Sequence, residues 1–294
     1  MKLDLQRVEL ENSPLPQATP DGFSLSFRCT LALDDSSATT TALVVKLPAR
    51  MGPWFTRALT LPAAVMPGGL NPEEIQPFFD EATNVLRILP PSTTTATTTD
   101  ANDDPLHDSV GRIHIHRLVR VEADPYPMLF YEAYDDDVHH LRLKQPEQEQ
   151  EWTLAALQLI SAFDYMQARG LVLTPLGIDN VVRRRTEHYY YHLDPTNNRD
   201  KKTQGWNYML TGFARCGACD PRDRTAGNEA MLTGMRQLAT VLLDGITTNS
   251  VCLHPQYKSA LNGTISPRTP EKCLLCFQSL RKRLTRRVLA SLKH

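Results

Sequence analysis

The stretch GLVLTPLGIDNVVRRR, Gly170–Arg185, decides the fold prediction. It directly follows a segment in which apolar residues recur at spacings of three and four, the pattern of a helix with one buried face. These residues are Trp152, Ala156, Leu159, Phe163 and Met166. Gly170 is a good stop for such a helix, because glycine adopts the left-handed conformation at little cost. The sequence therefore predicts a long amphipathic helix that leads straight into a short loop.

The composition sets broad limits on what the chain can be. With 294 residues, 41% of them hydrophobic, it is large enough for one sizeable domain or for two lobes around a cleft. The formal net charge of -1 gives no indication of a nucleic-acid partner. The N-terminal MKLDLQRVEL carries charges where a signal peptide needs an apolar core, and no apolar run is long enough to span a membrane. We expect a soluble chain, or one whose leader has been removed.

The first part of the chain is rich in predicted strands. Residues 23–33 alternate apolar and polar side chains, residues 40–47 are rich in β-branched side chains, and the acidic segment between them favours a hairpin turn. Residues 113–122 and 126–134 also predict strands, and a first strand before residue 13 brings the expected number to about five. One helix is expected from Asn71, a capping residue followed by Pro72, and Pro77 should kink or restart it.

The second part of the chain is predicted to be helical from residue 149 onward. One helix after Asn228 presents Met231, Met235, Leu238 and Leu242 on a single side. Another closes the chain. Two polar segments read as insertions, a Thr-rich one at Pro90–Pro105 and a turn-rich one at Arg183–Asn207.

This order of elements resembles the protein kinase fold over nearly the whole chain. The resemblance implies an α+β, two-lobed, single domain covering residues 1–294. Residues 1–134 would form an N-lobe and hinge, with a five-stranded antiparallel sheet plus one helix. Residues 135–294 would form a mostly α-helical C-lobe.

Short motifs carry the resemblance to the kinase nucleotide cleft. The strand ALVVKLPAR ends near Lys46, which looks like the lysine that holds nucleotide phosphates, and Glu81 lies where the helix glutamate would pair with it. PMLFYEAYDDD is similar to the fifth strand and hinge of a kinase. In that comparison Tyr131 is the gatekeeper, and the backbone groups of the residues that follow it would meet adenine. With Asn180, the resemblance implies a candidate degenerate nucleotide cleft, whose residues are Lys46, Glu81, Glu132, Tyr134 and Asn180.

The residues that perform phosphoryl transfer are replaced. Pro175 stands where the catalytic aspartate is expected, and YMLTGFARCG has Gly212 where the metal-binding aspartate belongs. The expected glycine-rich loop contains Gly22 alone. Because phosphoryl transfer depends on metal-bound charge and on a positioned hydroxyl, these losses predict a protein with no catalytic residues.

We therefore expect a pseudokinase that acts as a binding, scaffolding or allosteric module for a protein partner, such as an active kinase or a host protein. The run LTGF, residues 210–213, is similar to a motif in degenerate members of the apicomplexan rhoptry kinase family. That narrower resemblance implies a secreted effector, delivered from a secretory organelle to a parasitophorous vacuole or host cell; otherwise the chain would be cytoplasmic. No cofactor is expected, and any ATP binding would be weak and metal-independent. The competing prediction is a divergent active kinase.

Cysteines provide a third hypothesis. CGAC and CLLC form two C-x-x-C pairs, and four thiolates of this kind can bind zinc. The four residues are Cys216, Cys219, Cys273 and Cys276. Disulfides in the C-terminal half and ordinary thiols are the alternatives, and CLLC lies in an apolar helical segment where cysteine is a normal core residue.

Two surface motifs remain open at this stage. RKRLTRR, residues 281–287, is either the solvated side of the last helix or a site for an anionic membrane or a phosphorylated partner. Peripheral membrane association follows from the second alternative. HYYYH, residues 188–192, is a solvated loop or an added hairpin, or else a binding surface or a metal site.

Overall fold

A computed structural model describes most of the chain. The described residues are 8–10, 17–18, 24–32, 40–60, 68–89, 111–123, 127–135, 149–186, 205–223, 225, 228–247 and 252–291. The Thr-rich insertion and the HYYYH motif lie outside them. The fold is α+β, as the sequence predicts. Its described residues divide into two compact units, the first up to Leu86 together with Arg117–Tyr134, and the second comprising the remainder.

The first unit is built on an antiparallel sheet. Its strands are β1 (Val8–Leu10), β2 (Gln17–Ala18), β3 (Ser24–Ala32), β4 (Thr40–Pro48), β5 (Leu118–Glu122) and β6 (Met128–Glu132). Five strands run in the order β1-β3-β4-β6-β5, and the short β2 also pairs with β3. The predicted pairing of β3 with β4 is confirmed.

The apolar core of this unit lies on one face of the sheet. Antiparallel partners share a face, so Phe27, Val45 and Phe130 point to the same side. Helix α1 (Gly52–Thr60) covers that side, and the rings of Phe27 and Phe55 lie 5.5 Å apart. The sequence predicted one helix here, but the described residues form two. The prediction missed α1 because its anchoring contacts are to distant strands.

Helix α2 (Pro72–Ile88) begins as predicted, with two acidic residues in its first turn. The backbone N–H of Asn71 donates to the carboxylate of Glu74 at 2.9 Å. The helix continues through Pro77, so the predicted restart is wrong, while the alternative of a kink stays a prediction. Continuity through Pro77 keeps Phe78, Glu81 and Val85 on one buried stripe.

The second unit is mainly helical, with short strand pairs. Its helices are α3 (Glu149–Ala168), α4 (Glu229–Thr240), α5 (Pro255–Ile265) and α6 (Pro270–Ser291). Its strands are β7 (Leu171–Leu173), β8 (Val181–Thr186), β9 (Gly205–Leu210) and β10 (Cys216–Ala218). β7 pairs with β10, and β8 pairs with β9. The apolar faces predicted for α3 and α4 are buried.

The strand predicted for residues 113–122 is shorter than expected. It begins at Leu118, and the preceding residues pack instead beside β9. The N–H of Leu210 donates to the carbonyl of His114 at 2.9 Å, and the N–H of His116 donates to the carbonyl of Leu210 at 2.8 Å. Two histidines in this part of the predicted strand, His114 and His116, are buried.

Candidate functional site

A buried ion pair joins β4 and α2 in the first unit. The Nζ of Lys46 lies 2.7 Å from Oε2 of Glu81, and the two side chains are only 11% and 2% exposed. The register places Lys46 opposite Leu129, on the sheet face away from α1. Burial of two charges is costly unless each is well paired, and this geometry provides that pairing. The structure therefore brings together these two predicted site residues.

Tyr131 completes this group. Its phenol donates to Oε1 of Glu81 at 2.6 Å, so both carboxylate oxygens accept a hydrogen bond. Tyr131 pairs with Val44, two residues before Lys46, and so points to the same face of the sheet. The sequence placed Tyr131 correctly in a strand but did not predict this bond, which depends on the register of β4 and β6.

The remaining residues of the predicted hinge make contacts within the first unit. The carboxylate of Glu132 pairs with Arg117 at 3.1 Å, and its N–H donates to the carbonyl of Arg117, also at 3.1 Å. The guanidinium of Arg28 lies 5.5 Å from the ring centre of Tyr134. The N–H of Ala133 donates to the carbonyl of Ala42 at 3.3 Å. The N–H groups of Glu132 and Ala133, two of the residues predicted to meet adenine, thus donate to carbonyls of the first unit.

In the second unit, Pro175 occupies an exposed position just after β7 and follows a cis peptide bond. The neighbouring backbone is held on both sides. The N–H of Thr174 donates to the carbonyl of Arg215 at 3.1 Å, and the N–H of Leu176 donates to the side chain of Gln237 at 2.9 Å. The loop is therefore ordered by its own contacts. At the position where a carboxylate would accept a proton, it presents a proline ring.

Asn180 serves as a brace for the same loop. Its Oδ1 accepts from the N–H of Gly177 at 3.0 Å, and its Nδ2 donates to the carbonyl of Thr211 at 3.1 Å. Its backbone N–H donates a hydrogen bond to the carbonyl of Gly177 at 3.0 Å. The amide predicted to contribute to a nucleotide site thus bridges the loop and the end of β9.

Gly212 has a backbone conformation that favours glycine. Its φ is 75°, in the left-handed region, and a Cβ built there would lie 2.9 Å from Nδ2 of Asn180. The next residue, Phe213, is fully buried and starts a short helical turn. An aspartate at Gly212 would meet both a strained backbone and the bracing amide.

Arg183, near the end of the opening stretch, is buried among partners of the second unit. Its guanidinium lies 3.4 Å from Glu151, 3.1 Å from the phenol of Tyr208 and 4.1 Å from the ring centre of Trp206. Burial raises the pKa of Tyr208, and the nearby Glu151 carboxylate acts in the same direction. This cluster fixes β8 and β9 against α3 and has the character of a structural contact.

The six cysteines form no disulfide, so the disulfide alternative is not supported. Cys273 is fully buried, and its thiol lies 3.5 Å from the carbonyl of Thr264. Cys219 lies 3.9 Å from the carbonyl of Gln167. Within the described ranges, which include all four paired cysteines, no group of three or more His, Cys, Asp or Glu is placed to hold a metal ion. The structure does not bring Cys216 and Cys219 together with Cys273 and Cys276 as a zinc site.

No protein-family model matches the chain, and no curated protein matches it at a significant level of similarity. Among the described helices, none is both long and apolar enough to cross a membrane.

Proposed function

We propose that this protein is a pseudokinase, a kinase-like chain that binds and regulates a protein partner without transferring phosphate. The proposal rests on the sequence motifs around Lys46 and Gly170–Arg185 and is supported by the α+β fold with a strand-rich first unit and a helical second unit. The buried pair of Lys46 and Glu81 is the contact that such a fold would retain.

The observation that carries the proposal is that the loop at Pro175–Asn180 is ordered but has no carboxylate at the position expected for the catalytic aspartate. The two positions expected to hold carboxylates are a proline and a left-handed glycine, and the amide of Asn180 already bridges Gly177 and Thr211. Metal-assisted phosphoryl transfer needs a carboxylate to hold the cation and another to position the hydroxyl. The loop keeps its backbone order while presenting neither.

The contacts of Glu81 fix the position of α2 on the sheet. Both of its oxygens accept hydrogen bonds from the sheet, so α2 is held to β4 and β6 by groups of the protein itself. A binding partner would then meet this helix in one fixed position. ATP, if bound by Lys46, would be bound weakly and without help from a metal-binding aspartate.

Two measurements test the proposal. Thermal unfolding is followed with ATP alone and with ATP plus magnesium or manganese, since a ligand of the folded state raises Tm. Phosphate transfer is followed with radiolabelled ATP and general protein substrates. We expect no metal-dependent rise in Tm and no transfer. Steady transfer that disappears in Lys46→Ala would contradict the proposal, whereas transfer that persists in this variant would indicate a contaminating kinase.

The alternative is a divergent active kinase, and the buried Lys46–Glu81 pair is the observation that favours it. It predicts a metal-dependent rise in Tm that Lys46→Ala abolishes. Assignment to the rhoptry type, with a secretory route and a host or kinase partner, remains a prediction from the short run before Ala214. Sequencing the mature N-terminus of the protein isolated from its source organism would test for a removed leader.

A further inference from the structure

Helix α6 carries far more basic than acidic side chains. Six of its residues are Lys or Arg, against Glu271 as its one acidic residue. Leu280, Leu284 and Val288 turn inward and are buried, which fixes the opposite side as the solvent face. The ion pair between Arg281 and Asp164, at 2.8 Å, attaches the helix to α3. α6 is therefore a docked helix with one exposed side.

Four residues lie in one line on that exposed side. Leu275, Lys282, Arg286 and Leu289 are spaced by seven, four and three positions and fall within an arc of roughly 60°. Leu275 is 61% exposed and Leu289 43% exposed. Lys282 and Arg286 lie between them, exposed, and no ion-pair partner for either is found among the described residues. We call this line the α6 stripe.

Additional cations flank the stripe. Arg283 is exposed and its Nε lies 3.2 Å from the hydroxyl of Ser279, while its guanidinium also contacts Gln256 of α5. Arg287 is exposed one turn later. The two contacts of Arg283 involve no acidic group, so they do not neutralise its positive charge.

We propose that the α6 stripe binds the surface of an anionic lipid bilayer. Clustered Lys and Arg side chains are attracted to anionic headgroups, and exposed leucines beside them insert at the boundary with the acyl chains. The two leucines are about 21 Å apart along the helix, too far to fill one protein pocket, whereas a bilayer accepts each of them separately. A second copy of the chain is disfavoured because the same cations would face each other.

Vesicle flotation with the full chain tests this proposal. Phosphatidylcholine vesicles are compared with vesicles that also contain phosphatidylserine. We expect binding to the second kind alone, and we expect it to weaken as salt is raised. Lys282→Glu/Arg286→Glu should weaken binding by on the order of tenfold or more. The control Arg222→Glu/Lys258→Glu makes the same change in net charge at exposed positions elsewhere and should bind normally.

Leu275→Ser/Leu289→Ser distinguishes a bilayer from an acidic protein. It should weaken vesicle binding several-fold while leaving binding to a polyglutamate peptide unchanged. The proposal is overturned if the wild-type chain does not float with anionic vesicles, or if both charge-reversal variants lose binding equally. It is also overturned if polyglutamate binds more tightly than the vesicles and the leucine variant behaves as wild type with both probes. Thermal unfolding of each variant shows that it is folded.

Discussion

The phenol of Tyr131 donates a hydrogen bond to a carboxylate that folding has removed from water. Tyr131→Phe deletes this donor and leaves Oε1 of Glu81 buried with one partner fewer. A lost hydrogen bond to a buried charged group costs about 1.5–3 kcal/mol. We expect the free energy of unfolding, measured by urea denaturation, to fall by about that amount.

A double-mutant cycle isolates the bond. In a Glu81→Ala background the acceptor is gone, so adding Tyr131→Phe should change stability by less than about 0.5 kcal/mol. Equal losses in the two backgrounds would show that the phenol contributes through packing and not through Glu81.

Gly212 offers a second test at the scale of one residue. Gly212→Ala places a side chain where φ is 75° and the nearest atom is Nδ2 of Asn180 at 2.9 Å. The left-handed conformation alone costs about 1–2 kcal/mol for a residue with a Cβ. We expect a loss of stability of at least that size, measured by urea denaturation.

The matched control for Gly212 is Gly177, whose N–H donates to the side chain of the same Asn180. Its φ is -129°, and a Cβ there meets nothing nearer than 4.0 Å. Gly177→Ala should therefore leave stability within about 0.5 kcal/mol of wild type. Similar losses for both variants would mean that the loop rejects any added side chain.

At the scale of elements, helix α1 buries one face of the sheet in the first unit. Phe55 is fully buried beside Phe27. Phe55→Ala should lower the free energy of unfolding by about 3–5 kcal/mol, since it removes apolar contact and leaves a cavity. Arg50→Ala is the control from the preceding turn, because its ion pair with Glu74 at 3.5 Å is exposed and worth at most about 1 kcal/mol. A loss for Phe55→Ala no larger than this control would show that α1 does not cover the core.

Elements that depend on local sequence could be predicted, and those that depend on distant partners could not. Asn228 was expected to precede a helix, and its side chain accepts from the N–H of Met231 at 3.2 Å. Helix α3 ends near Gly170, which has the left-handed φ of 72°. By contrast, α1 was missed, since its buried residues are specified by β3, β4 and β6. The same reason explains why the bonds of Tyr131 and Asn180 were not foreseen.

At the scale of the whole molecule, buried thiols link stability to alkaline pH. Burial raises the pKa of Cys273, while the nearby Arg236 opposes the shift. The unfolded thiol therefore ionises first as pH rises above the model-compound value of 9.0. The stability from keeping this thiol neutral is fully present below that pH and is lost as pH rises toward the folded pKa. Burial also raises the pKa of Tyr257, which adds in the same direction at higher pH.

We expect the urea midpoint of the wild-type chain to fall as the pH rises above about 9. Cys273→Ala removes one of the contributing groups and should flatten this decline, whatever its stability at neutral pH. Cys252→Ala is the control, because Cys252 is exposed and its removal should leave the slope unchanged. An unchanged slope in Cys273→Ala would assign the decline to other groups.

The proposed pseudokinase function predicts that two added carboxylates would not produce catalysis, and the loop at Pro175–Asn180 makes that testable. In Pro175→Asp/Gly212→Asp both acidic residues of the kinase pattern are restored. The aspartate at 212 meets a left-handed backbone and the amide of Asn180, which is committed to Gly177 and Thr211. We therefore expect no phosphate transfer with radiolabelled ATP and magnesium, together with a loss of stability at least as large as that of Gly212→Ala. Transfer that appears in the double variant and disappears when Lys46→Ala is added would show that the scaffold still supports catalysis and that the two substitutions alone had removed it.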